Sequence, residues 1–150
     1  MSEQMDEQTV KARIEKGIQN LFEKQPEIFG LTSESRQTEW NLTYHLAHEI
    51  HALYPEFEID LDIKKPNAGN RRPDIVFHHR RIHTKNFLVI ELKRNDQKAM
   101  QRDLEKIETY WFAKPYVYQF GAAINLNADL SFEVEVRTNP NNPKNKSAKG

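Results

Sequence analysis

Asp74, Glu91 and Lys93 are the residues of this chain whose types and spacing point most directly to chemistry. Asp74 follows Pro73 and heads an apolar run that ends at Phe77; Glu91 and Lys93 close a second run, from Asn86 to Lys93. Both runs are rich in the branched and aromatic residues that favour strands, and the polar segment from Arg80 to Lys85 fits a hairpin connection. Pairing the runs brings Asp74 near Glu91. Lys93, two residues further on, shares the face of Glu91 because strand side chains alternate. Two carboxylates and an ammonium converging on one point suit a hard divalent cation such as Mg²⁺, which prefers oxygen ligands and keeps several waters. Such an ion activates water and neutralises charge building on phosphate, which is the chemistry of phosphodiester hydrolysis.

Pro73-Asp74 followed by Glu91-x-Lys93 resembles the signature of the PD-(D/E)XK nuclease superfamily. The resemblance runs from about Glu39 to Gly121, through residues 39–46, the acidic strand Ile59 to Asp62, the Arg71-Arg72-Pro73-Asp74 stretch and Asp103 to Lys106. It implies a restriction-endonuclease-like α/β fold: an αβββαβ core with a mixed central sheet flanked by helices. It further implies Mg²⁺ or Mn²⁺ held by Asp74, Glu91 and the Leu92 carbonyl, with DNA rather than RNA as substrate. A setting in host defence or mobile-element biology rests on the resemblance alone. Relatives of this kind often carry another acid on the first core helix, a place taken here by Glu39 or Glu49.

Helical geometry favours Glu39. With about 100° per residue, Leu42, Leu46, Ile50 and Leu53 form an apolar stripe centred on Glu39, whereas Glu49 lies on its flank. An acid in the middle of a core-facing stripe is costly unless a metal or a cleft edge compensates it. The bland alternative is a first-turn acid complementing the helix dipole, with Ser33 or Ser35 as cap. In the period-2 run from Phe57 to Ile63, Glu58, Asp60 and Asp62 share one face, the pattern of a half-buried strand with a solvated acidic side. Asp62 is the one retained as a ligand candidate.

Around these acids the charge is unevenly spread. The net charge is zero, but residues 1–62 carry 13 acids against 5 Lys or Arg, and residues 63–94 carry 2 acids against 9 Lys or Arg. The two acids of the basic block are Asp74 and Glu91. A basic hairpin around two carboxylates attracts a phosphate backbone, and Arg71, Arg72, Arg80, Arg81 and Arg94 are its candidate contacts, joined by Lys106 on the third helix, where a solvated helix face is the competing reading. The same block also fits a simpler role, facing the acidic amino-terminal part. Lys93, beside two carboxylates, is expected to hold its proton, stabilise the developing phosphate charge and orient water rather than act as a base.

The elements that must position these groups follow from periodicity and breakers. Residues 5–24 read as an extra amino-terminal helix and 35–53 as a second helix. A strand spans 57–63, a turn 65–70, and the two motif runs form the hairpin. A helix over 96–112 presents Met100, Leu104, Ile107 and Trp111, and strands cover 116–126 and 130–138. This gives a single domain over 1–138, with its core in 35–126; the Asn- and Pro-rich tail 139–150 is expected to be disordered.

Other chemistries fit poorly. The absence of Cys excludes thiolate sites. His45, His48 and His51 fan too widely round a helix to share one zinc ion, and His78 and His79 point to opposite faces of their strand. The five glycines form no phosphate loop. Trp111, Phe112, Tyr116 and Tyr118 fit core packing better than base stacking. A polar start and the lack of a long apolar run lead to the expectation of a cytoplasmic protein with no membrane contact. Cleavage of both strands by so small a chain would need two active sites, hence a homodimer or two encounters, and a partner protein is a candidate source of specificity. The competing reading is a nuclease-fold module without catalysis that binds nucleic acid or protein.

Overall fold

Val10, Ile14, Ile18, Leu21 and Phe22 recur at helical spacing, and all five are buried on one side of α1 (Glu7–Lys24). Asp6 caps that helix, its carboxylate accepting from the Thr9 amide at 2.8 Å. The computed structural model describes residues 5–29, 36–62, 72–82 and 85–147, and their side chains except those of 36–39, 146 and 147. The expected turn 65–70, the Ser33 and Ser35 caps and Arg71 lie outside these residues.

Helix α2 (Arg36–His51) lies against α1, burying Leu42, Leu46 and Ile50. The helices touch at Gly17, where a Cβ would meet Ile50 Cγ1 at 2.7 Å. Five strands follow in a mixed sheet of order β1-β2-β3-β4-β5. β1 (Glu58–Leu61), β2 (Ile75–His78) and β3 (Leu88–Arg94) form an antiparallel meander, with Ile75 opposite Ile90. β4 (Phe120–Leu126) is parallel to β3, and β5 (Phe132–Thr138) returns antiparallel to β4. Parallel neighbours need a crossover over one face, supplied here by α3 (Ala99–Lys106) and a π-helical turn, Ile107–Trp111, closed by the Phe112 amide on the Ile107 carbonyl.

The sheet is covered on both sides, which makes the architecture α/β. Ile75, Phe77, Leu88 and Ile90 pack in the large core under α1 and α2, while Val76 and Val89 face Ile107, Trp111, Phe112, Tyr116 and Tyr118. The four aromatics are core residues. β4 is buried along its whole length, as a central strand between covered faces must be. Gly121 lets the crossover come close, because a Cβ there would collide with Ile107 Cγ2. Among the described residues no helix is long and apolar enough to cross a membrane.

Three expectations need correction. The expected continuous helix over 96–112 begins only at Ala99 and ends in the π-helical turn. The expected strand 116–126 starts at Phe120, because Tyr116 and Tyr118 belong to the connection after the crossover. The tail from Asn139, expected to be disordered, is ordered through Ser147 and carries α4 (Pro143–Ser147). What the low apolar content concealed is amide hydrogen bonding. Asn139 Nδ2 donates to the carbonyls of Phe112 and Tyr118, Asn142 Nδ2 to Val117, and Asn145 Nδ2 to Gln119. Asn86 Nδ2 donates to the Tyr116 carbonyl from the opposite side. Asn139→Ala should therefore cost about 1–3 kcal/mol by stranding two buried carbonyls. Urea unfolding checks this; a disordered tail would leave the midpoint unmoved.

Candidate active site

The register of β2 against β3 sets the site. Because Ile75 pairs with Ile90, the next step places Asp74 across from Glu91, and Asp74 Oδ2 accepts from the Leu92 amide at 2.7 Å. Strand alternation then puts Asp74, Glu91 and Lys93 with Val76 and Val89 on the side covered by α3. The carboxyl groups of Asp74 and Glu91 are close enough for the charge of Asp74 to act on Glu91. Trp111, delivered by the π-helical turn, donates its indole N–H to Glu91 Oε1 at 3.2 Å. Glu91 is 6 % exposed.

Electrostatics follow from that burial. Desolvation, reinforced by the charges of Asp74 and Asp103, pushes the Glu91 carboxyl up to about 8. Burial likewise raises Asp74, against the opposing pull of the Leu92 amide and Lys93. For Lys93 burial works against the ammonium, but Asp103, Asp74 and Glu91 outweigh it and raise its pKa. The lysine is therefore a fixed positive charge, as its neighbours on the strands implied.

Asp103 entered the sequence reading only as part of the resemblance, with no site role assigned to it. It projects from α3, is 1 % exposed, and lies 3.3 Å from Lys93 Nζ and 3.8 Å from Lys106 Nζ. Neither carboxylate oxygen has a hydrogen-bond partner of good geometry among the described residues, so these ammonium groups are its compensation. Asp103 lies on the flank of the Met100, Leu104, Ile107 and Trp111 stripe, the kind of position from which Glu49 was read as solvated, so periodicity carried no signal for it.

The remaining candidates divide by location. Asp62 lies next to Asp74, its amide donating to the Asp74 carbonyl at 3.2 Å, and its carboxylate is 3.5 Å from Arg72. Arg72 and Lys106 line a cavity of about 150 Å³ with Glu91 and Trp111. Arg94 lines a cleft with Asp74, Leu92, Lys93, Trp40 and Thr43. Glu39 belongs to α2, four residues before Thr43, with its side chain outside the described residues.

Arg80 and Arg81 are not part of this group. They follow the far end of β2, and Arg80 is bound there by Asp60 at 2.8 Å and Glu58 at 2.9 Å. His78 is also held by Asp60, at 2.7 Å. The acidic face of β1, expected to be solvated, thus neutralises one end of the basic hairpin. Glu49, expected on a solvated flank, is buried and paired with Lys24 of α1 at 2.9 Å, away from the site. His45 and His51 engage Gln25 and the Phe57 carbonyl. Among the described residues no three His, Asp or Glu side chains group around a common point for an ion.

No protein-family model matches this chain, and no curated protein matches it in sequence.

The raised carboxyl has a consequence for stability. An unfolded Glu91 loses its proton near 4.5, and the folded one holds it to about 8. Between those values the folded state binds the extra proton, so stability falls as pH rises through the window. Glu91→Gln removes that loss. In EDTA the variant should melt close to the parent at about pH 5 and above it at about pH 8.5, the gain being on the order of a few kcal/mol. Thermal melts across that range check it; a pH-independent difference would contradict the assignment.

Proposed function

We propose that the chain is a metal-dependent phosphodiester hydrolase of the PD-(D/E)XK type, with a restriction-endonuclease-like core, acting on DNA. One observation carries this reading: two carboxyl groups are buried side by side on adjacent strands with a lysine ammonium on the same face. The succession of helix, three-stranded meander, crossover helix and parallel strand supports it, since that is the element order the resemblance implies.

The residues present fit a hard divalent ion. Asp74 and Glu91 are desolvated against their own charge, a penalty that a cation offsets, and Mg²⁺ typically takes one or two carboxylates alongside waters and substrate phosphate. Asp74, Glu91 and the Leu92 carbonyl would hold Mg²⁺ or Mn²⁺, with Asp62 and Glu39 as further candidates. When bound, the ion supplies Lewis acidity toward the phosphate and a more acidic water. Trp111 fixes the Glu91 carboxylate in place. Lys93 presents a permanent positive charge where negative charge grows on the phosphoryl oxygens, and Asp103 keeps that ammonium from swinging away. Arg72, Arg94 and Lys106 flank the site as phosphate contacts. The alternative is a module that keeps the fold and binds nucleic acid or protein without catalysis. Cytoplasmic location and a homodimer or specificity partner belong to the same proposal.

The deciding experiment is cleavage of plasmid, linear, single-stranded and branched DNA, with RNA, in Mg²⁺, Mn²⁺ and EDTA. Metal-dependent cutting is expected, reduced at least about 100-fold by Lys93→Ala and abolished by Asp74→Ala. Mn²⁺ should also raise the melting temperature near pH 8, by about 3 kcal/mol of added stability at a hundredfold excess over its dissociation constant, and Asp74→Ala should remove that gain. No cutting of any substrate and no Mn²⁺ stabilisation would transfer the conclusion to the non-catalytic module.

A further inference from the structure

The chain has two tryptophans, and they are treated oppositely: Trp111 is 1 % exposed, whereas Trp40 is 68 % exposed. An indole is among the largest apolar surfaces a chain can bury, and this one stands in water at the rim of the candidate site with the partly exposed Leu61 beside it. Trp40 lies near the start of α2. With Thr43 and Asp74 it lines two adjoining clefts, one of about 80 Å³ completed by Leu42, Leu92, Lys93 and Arg94, the other of about 320 Å³ completed by Leu61 and Asp62. The indole and the Asp74 carboxylate are thus walls of the same depression. Leu61, itself 36 % exposed, adds apolar surface.

We propose that this depression seats an unpaired nucleobase stacked on Trp40, so that the substrate is single-stranded or locally opened nucleic acid rather than intact duplex. The inference rests on the nuclease reading and specifies the substrate of that same site. A strand whose phosphate meets Lys93 and Asp74 carries its neighbouring base toward Trp40. In a duplex the base faces are covered by one another and can meet an indole only after flipping out. In a single strand every base has a free face, and aromatic stacking tolerates any sequence. The charges suit this occupant better than an apolar peptide: Lys93 and Arg94 flank the indole, and the Asp62 carboxylate is offset by Arg72 at 3.5 Å.

Binding measured in EDTA tests the stacking site without cleavage. The probes are a labelled oligothymidylate, a duplex of equal length and, as competitor, an abasic version of the single strand. Tryptophan emission should be quenched by the single strand and neither by the duplex nor by the abasic strand. Trp40→Ala should remove the quenching and weaken single-strand binding about 5- to 150-fold while leaving duplex binding and the melting temperature unchanged; Trp40→Phe should recover most of the affinity. Absence of quenching, equal loss for both nucleic acids, or unaltered binding by Trp40→Ala would overturn the proposal. Quenching and strand discrimination with no cleavage in Mg²⁺ or Mn²⁺ would uphold the stacking site and remove the nuclease reading. Metal-dependent cleavage without them would do the reverse.

Discussion

Two carboxyl groups held side by side and out of water repel each other, and much of this molecule is organised around tolerating that. Asp74 and Glu91 come from adjacent strands, so their separation is a property of the β2–β3 register. The Leu92 amide binds Asp74 directly, tying the first acid to the backbone next to the second. A slip of one residue would turn Asp74 to the opposite face of the sheet and scatter the group. The buried cores on both faces make such a slip expensive. Trp111 and Lys93 then supply two kinds of compensation, a hydrogen-bond donor and a nearby cation, and the raised Glu91 carboxyl adds a third by keeping its proton.

The same principle orders the rest of the charge. The basic hairpin is not one uniform surface. At the far end of β2, Asp60 and Glu58 occupy Arg80 and His78. At the near end Arg72, Lys93, Arg94 and Lys106 surround the carboxylates. A chain of zero net charge thereby gathers four cations around its buried acids at one end of the hairpin, a local arrangement that overall charge cannot report.

What was legible in the sequence was what periodicity and adjacency encode. The strands around Asp74 and Glu91 and the shared face of Glu91 and Lys93 follow from alternation, and the raised pKa of that lysine was expected from the two carboxylates, although Asp103 adds the largest share. What was not legible depended on partners distant in the chain. Glu49 looked solvated because its stripe position was read without Lys24, which arrives from another helix. Glu58 and Asp60 looked like a solvated face because their cations lie across the sheet. Asp103 was passed over because an acid on a stripe's flank reads as solvated, and only the packing of α3 on the sheet brings it to Lys93. The tail looked disordered because side-chain amides contribute nothing to a hydrophobic count, yet here they do the ordering.

Those tail amides reach further than the tail. Asn139 grips the carbonyls of Phe112 and Tyr118, immediately after the turn that aims Trp111 at Glu91. The carboxyl-terminal segment is thus a clasp on the element that sets one wall of the candidate site. A truncation after β5, or an affinity tag that pulls this segment aside, would loosen the indole and alter the acid pair without touching a single proposed catalytic residue. Anyone producing this protein would do better to place the tag ahead of α1.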